Sequence, residues 1–238
     1  MTDSRPSRGG ILYLVATPIG NLEDVTGRAL RVLGEVSCVA AESPPHTRRL
    51  LEHYGIAARV TKLFEHNERA RAAGLVARLA AGESVALVTD AGSPGVSDPG
   101  YPLVRAAIAA GIRVESIPGP SAVIAALQVS GLPTDAFTFV GFLPVKAAAR
   151  RKRLEALSER RETLIAFESP HRIDGCLTDL ETVWGERPIA LVRELTKTFE
   201  QTLRGTAREV RAALTAEQRR GEFVLVLSGR TRGEVRHS

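Results

Sequence analysis

Cysteine is nearly absent from this chain. Cys38 and Cys176 stand far apart in apolar surroundings, and no C-x-x-C pair occurs. Two isolated thiols exclude a disulfide framework or a thiolate zinc site and suit a reducing compartment. The five histidines show no ligand spacing either, so no metal is expected. Long hydrophobic runs are missing too. "MTDSRPSRGG" is a polar tail, and the "ILYLVAT" that follows is too short for a signal core or a membrane span. The expectation is a soluble cytoplasmic protein with no membrane partner. Neither G-x-x-x-x-G-K-[ST] nor G-x-G-x-x-G follows any apolar run, which disfavours a nucleotide or dinucleotide site. Internal repeats and low-complexity tracts are also lacking.

What is present is a chain of 238 residues, 44% of them hydrophobic. At that length roughly 70–75% of the surface can be buried on folding, so the core needs no metal or disulfide to hold it. Basic residues exceed acidic ones by five, 32 against 27. The excess is concentrated in "KAAARRKRLEALSERR", where Lys146, Arg150, Arg151, Lys152, Arg153, Arg160 and Arg161 face only Glu155 and Glu159. A solvated helix mixes its signs more evenly, so this segment is read as a contact for RNA or another polyanion.

Short β-rich runs alternate with amphipathic stretches through the first half. Strands are expected at "ILYLVAT", "SCVAAE", "RVTKLF", "ESVALVTD" and "RVESIPG". Helices fall between them: "DVTGRALRVLGEV" capped by Asp24, "PPHTRRLLEHYG" stopped by Gly55, "NERARAAGLVARLAAG" capped by Asn67 and stopped by Gly82, and "GYPLVRAAIAAG". Units of about 30 residues in this alternation predict a largely parallel α/β sheet. After "PGPSAVIAALQVSGLPT" the pattern changes. "FTFVGFLP", "TLIAFES", "PIALVREL", "TFEQTLRG" and "EFVLVLSG" read as strands of a mixed sheet, with helices over about 147–160 and 170–184. The predicted organisation is a tail at 1–10, an N-terminal α/β domain over 11–118, a C-terminal α/β domain over 119–229, and a tail at 230–238.

Two irregular loops follow buried strands at their carboxyl ends, where open α/β sheets bind ligands: "ATPIGN" and "TDAGSPGVSDPGY". "IPGPSAV", "SGLPT" and "GFLP" are three more junctions of the same kind. Glycine lets a backbone approach a ligand and proline holds a loop's shape in advance. With no phosphate signature, these walls suit a ligand such as S-adenosylmethionine, which joins an apolar adenine, a ribose diol and a charged amino acid.

"LVATPIGNLEDVTGRAL", "VTDAGSPGVSDPGYPLV", "IPGPSAVIAAL", "SGLPTDAFTFVGFLP", "IAFESPHR" and "RELTKTFE" occur in that order between about Leu12 and Gly229. Together they resemble the small-subunit ribosomal RNA methyltransferase branch of the tetrapyrrole-methylase superfamily. The resemblance implies two α/β domains forming a homodimer, with S-adenosylmethionine held in the cleft between the domains. The reaction implied is methyl transfer to the ribose 2′-hydroxyl of a cytidine in the decoding region of 16S ribosomal RNA or of the 30S subunit. By position it assigns the donor to Pro18, Gly20, Asp90, Gly92, Ser93, Pro94, Asp98, Ser121 and Ala122, with Glu168 and Leu195 closing the pocket. RNA contacts would fall on Arg150, Arg151, Lys152, Arg153, His171, Arg172 and Arg193. One departure stands out: "AESPPHT" puts Ser43, Pro44 and Pro45 where the family usually has "AEDTRHT".

A ribose hydroxyl attacking a methyl group must lose its proton, and a positioned base contributes roughly 10²–10⁴-fold. If "RELTKTFE" is a strand, Arg193 and Lys197 share one face. Two neighbouring cations would depress the Lys197 pKa and make it the proton acceptor, with Glu194 second and His46 or Glu68 behind it. Two further readings stay open: a precorrin-type C-methyltransferase on the same fold, and an RNA-binding factor that has lost turnover.

Overall fold

The computed structural model describes residues 9–63 and 68–230, and of 68–70 the backbone alone. The expected cap Asn67 lies outside the described residues, as does the side chain of Glu68. The chain divides into two compact units, one up to Ser121 and one from Ala122 onward.

The first unit is built on strands β1 (Ile11–Val15), β2 (Cys38–Ala41), β3 (Val60–Lys62), β4 (Val85–Val88) and β5 (Arg113–Ile117), with helices α1 (Gly27–Glu35), α2 (Pro44–His53), α3 (Glu68–Ala80) and α4 (Tyr101–Ala109) between them. The strands pair in parallel in the order β3-β2-β4-β1-β5. Every residue of β2 and β4 is buried, as a parallel strand covered on both faces must be. Alternation divides them. Ala86 and Val88 join the core beneath α1 and α2, while Val85 and Leu87 join the one beneath α3 and α4. The prolines of "SPP" occupy the first turn of α2, where a missing N–H costs nothing. Asp24 is not the cap of α1. It ends a short 3₁₀ turn, Leu22–Asp24, and the Thr26 hydroxyl oxygen instead accepts from the Ala29 amide.

The second unit has strands β6 (Phe137–Phe142), β7 (Thr163–Glu168), β8 (Ile189–Arg193), β9 (Gln201–Gly205) and β10 (Phe223–Leu227) in the order β6-β7-β10-β8-β9. β6 and β7 are parallel and the remaining pairs antiparallel, so the sheet is mixed as expected. Helices α6 (Ala147–Ser158) and α7 (Ile173–Trp184) match the predicted pair. Two more helices carry no clear signal in the sequence, α5 (Ala122–Ser130) and α8 (Ala207–Ala213). Apolar "AVIAALQVS" has no polar face to give a helical period, and α8 is short, held by a capping box between Thr206 and Glu209. Gly10 and Arg230, assigned to tails, are bonded into the fold: the Gly10 amide donates to the Leu79 carbonyl at 2.8 Å and the Arg230 amide to that of Arg160 at 2.7 Å.

The basic segment does not all face solvent. Arg150 is buried, its guanidinium 2.7 Å from the buried carboxylate of Asp179 on α7, and it also donates to the Val145 carbonyl. Arg151 shares Asp179 at 3.0 Å. Removing one partner of a buried pair strands the other's charge, which typically costs about 3–5 kcal/mol. Arg150→Ala should therefore lower unfolding stability by about that much in urea titrations. Arg153→Ala, at an exposed position, should stay within about 0.5 kcal/mol.

Candidate functional site

The connections of the first unit diverge between two neighbouring strands. From β1 the chain crosses toward β2 beneath α1, and from β4 it crosses toward β5 beneath α4, on the opposite face. The carboxyl ends of β1 and β4 thus form a topological switch point, where open α/β sheets leave a crevice. The two loops singled out by their glycines and prolines leave from these ends. They are stitched together by a two-way bridge: the Thr17 amide donates to the Gly92 carbonyl at 2.9 Å and the Gly92 amide to that of Thr17 at 3.0 Å. The Thr17 hydroxyl adds a bond to the Thr89 carbonyl at 3.1 Å. Gly92 is buried with φ +72°, and a Cβ there would meet Ile19 at 3.6 Å and the Pro120 carbonyl at 3.8 Å. The loops after β1, β4 and β5 therefore converge, and a side chain at position 92 would be strained and would fill the space between them.

Pro18, Gly20, Asp90, Ser93, Asp98, Ser121 and Ala122 keep partial or full exposure, whereas Pro94 is buried and acts as loop scaffold. The edge is acidic. Asp90 Oδ1 accepts from the Ser43 amide at 3.1 Å, and the Asp90 amide donates to Glu42 at 3.4 Å. Burial, then the charges of Glu42 and Asp90, push the Asp98 carboxyl up to about 6, against the pull of a Thr89 hydrogen bond. No lysine or arginine occurs in 16–22 or 89–101. Such an edge repels phosphate and favours a cation, so a sulfonium donor with an ammonium group and a ribose diol fits the residues present. Among the described residues no cluster has metal-ligand geometry. Sequence reasoning missed Glu42, Thr17 and Thr89 as parts of this edge, because neither pattern nor spacing marks a residue that acts through a neighbouring strand.

In the second unit several expectations need correction. "RELTK" is not strand beyond Arg193. It is a tight turn with Glu194 at φ +50° and Thr196 at φ +64°. Lys197 therefore does not share a strand face with Arg193; it lies 3.0 Å from Glu194 and 3.0 Å from Glu222. Burial alone would lower its pKa, but the bonds to Glu222 and Glu194 outweigh that and hold it above the ordinary lysine value. A protonated lysine cannot take a proton. Glu194 is little better: burial would raise its pKa, yet the Glu222 amide and Lys197 hold it below the usual carboxylate range.

Arg193 is buried and donates to the carbonyls of Phe199 and Arg220, so it braces the turn and offers no guanidinium to RNA. Glu168 is also buried, accepting from the Ser169 amide at 2.7 Å and lying 2.6 Å from Arg172. One of its oxygens braces Arg172, while the other is buried with no hydrogen-bond partner. Arg172 itself is spent on Glu168 and the Leu143 carbonyl. The Leu195 side chain is buried, leaving only its backbone to offer a ligand. Of the RNA candidates, Lys152, Arg153 and His171 are exposed, with Arg151 exposed but paired.

A parallel-sheet unit with an acidic switch point, followed in the chain by a mixed-sheet unit, is the fold of the tetrapyrrole methylases. The family model for Tetrapyrrole (Corrin/Porphyrin) Methylases matches residues 11–211, and the chain belongs to that family. Members of the family are S-adenosylmethionine-dependent. Within it, the chain is similar to ribosomal RNA small subunit methyltransferase I of Xylella fastidiosa (strain Temecula1), 54% identical over 94% of this chain and 83% of the relative. The protein of the same name from Pseudomonas aeruginosa is 51% identical over 92% and 79%. Among solved structures, the fold is shared with uroporphyrin-III-C-methyltransferase from Thermus thermophilus (TM-score 0.62, 24% identity, 92% of this chain and 94% of that one). It is shared as well with diphthine synthase (TM-score 0.67, 16% identity, 92% and 90%).

The Asp98 shift carries a stability consequence. A carboxyl whose folded pKa is raised contributes stability that is full below its unfolded value and lost as pH rises through about 6. Asp98→Asn should therefore melt a few degrees above the parent near neutral pH. The difference should shrink toward zero as the pH falls to about 4, read by thermal denaturation across that range.

Proposed function

We propose that this protein transfers a methyl group from S-adenosylmethionine to the ribose 2′-hydroxyl of a cytidine in the decoding region of small-subunit ribosomal RNA, acting in the cytoplasm as a homodimer. The observation that carries the donor half is the acidic, lysine- and arginine-free edge at the β1–β4 switch point. The RNA half is supported by the activity for which relatives about half identical over nearly the whole chain are named. When bound, the donor supplies a methyl group activated by its sulfonium charge. Asp90 and Asp98 balance the donor's positive charge, while Pro18, Gly20, Gly92 and Ser93 shape the walls against which it lies. Ser121 continues that wall at the end of the first unit, and Ala122 follows it in the chain as the first residue of α5. Lys197 is not the base in this reading, since Glu194 and Glu222 keep it charged.

Two measurements test the proposal. In the first, small subunits lacking the modification are incubated with enzyme and donor, and the RNA is digested to nucleosides. The expected product is 2′-O-methylcytidine. A base-methylated nucleoside, or donor consumption only with a tetrapyrrole, would replace the RNA ribose reading. In the second, Gly92→Val and Ser121→Phe are titrated with S-adenosylmethionine by calorimetry. Both should lose binding; Ser121→Phe should keep the parent's thermal transition, whereas Gly92→Val, strained at φ +72°, should also melt lower. Normal affinity in either would move the donor site elsewhere.

A further inference from the structure

The mixed sheet of the second unit has two unequal faces. One packs on α6, α7 and α8 through Leu164, Ala166, Leu191 and Leu225. The other is covered by α5, which lies on β8, β9 and β10 and receives Arg204 at the Val129 and Ser130 carbonyls. Under α5 this second face is closed: Val192 and Val226 are wholly buried. Toward β6, the edge strand, the cover stops. Phe137 is 40% exposed and Phe142 56% exposed, with Phe139 and Phe167 half-buried between them.

These four rings share one face because β6 carries a bulge. Phe139 pairs with Ile165 and Phe142 with Phe167, so β6 spends three residues where β7 spends two. Gly141, at φ +70°, absorbs the extra residue. Without it Phe142 would point into the α6–α7 core. With it, Phe142 stands edge-on to Phe167 at 5.6 Å, and Phe139 does the same at 4.8 Å. A bulge that re-aims one side chain outward is a feature of binding surfaces. The chain holds only seven phenylalanines, and four of them are here.

The loop beyond Phe142 is held rigidly. Arg172 donates to the Leu143 carbonyl and Arg150 to that of Val145, and each arginine is neutralised by a buried carboxylate, Glu168 or Asp179. Val145, at the loop's tip, is 73% exposed. The chain then runs into Lys146 and α6, and no acidic residue occurs from 136 to 154. Aromatic rings on an open sheet face, followed by an acid-free basic segment, match unpaired bases and their phosphates.

We propose that the Phe137–Phe139–Phe142–Phe167 face stacks unpaired bases of the RNA substrate, while Lys146, at the end of the loop that leaves β6, engages an adjoining phosphate. This rests on the RNA reading above and adds to it the kind of RNA recognised, single-stranded rather than duplex, and where it lies. The two contributions separate in a salt titration, because stacking is insensitive to salt and phosphate contacts are not.

The test is fluorescence anisotropy with the full chain, an unstructured single-stranded oligocytidylate and a duplex RNA of equal length. Phe142→Ala should weaken single-strand binding roughly five- to a hundred-fold with the salt slope unchanged. Phe142→Tyr should restore it, and S-adenosylmethionine affinity should not move in either variant. Lys146→Ala should instead flatten the slope by roughly 0.7, the value for one phosphate no longer neutralised. Parent-like binding by Phe142→Ala, or tighter binding of the parent to duplex than to single strand, overturns the stacking face while leaving methylation of small subunits intact. Loss of that methylation by the parent enzyme would fail the RNA reading itself. If Phe142→Ala alters the sedimentation coefficient of the RNA-free protein, the face belongs to a second copy of the chain and the proposal is wrong.

Discussion

A parallel strand must carry its chain back across a face of the sheet before the next strand can begin. All five strands of the first unit obey this constraint, so every loop that leaves a strand does so at the same edge. Most of those loops only turn into a helix. Between β1 and β4 the return paths run to opposite faces, and there the edge opens. The convergence of Thr17, Gly92 and Pro120 follows, and so does the gathering of Glu42, Asp90 and Asp98 from the ends of β2 and β4. A crevice lined by carboxylates and loop backbone favours cations over phosphates before any ligand is considered.

The second unit solves a different problem with the same chemistry. Three of its arginines are turned onto the backbone. Arg150, Arg172 and Arg193 each hold backbone carbonyls of a loop or turn, and two of the three are neutralised by carboxylates buried beside them. Buried pairs of this kind add little net stability but penalise any other arrangement of the loop they hold. Cys176 sits within this framework, its thiol pushed far above its usual range by burial and by the charge of Glu168. It is inert packing, in keeping with the scarcity of reactive groups in the chain.

The order of strands and helices in the first unit was legible because period and punctuation agree there. Apolar-rich runs of three to five residues alternate with amphipathic helices, and Gly or Pro marks most of the junctions. Legibility failed where a residue's neighbour in space is remote in sequence. A run such as "RRKR" looks like a solvent-facing polycation, and only Asp179, some thirty residues away, decides that Arg150 points inward. "RELTKTFE" has strand-like composition, yet Glu194 and Thr196 take left-handed backbone and Glu222 comes from another part of the chain to fix Lys197.

Residue pattern by itself determined the two α/β units, the parallel and mixed sheets, the phosphate-unlike loops and the family to which the chain belongs. These depend on local periodicity and on the order of motifs, both of which a linear sequence carries. Tertiary structure alone decided which charges are braces and which are free, which carboxylate is raised toward neutral pH, and which aromatic rings are left uncovered. Each of those depends on burial and on distances between groups that the chain brings together only when it folds.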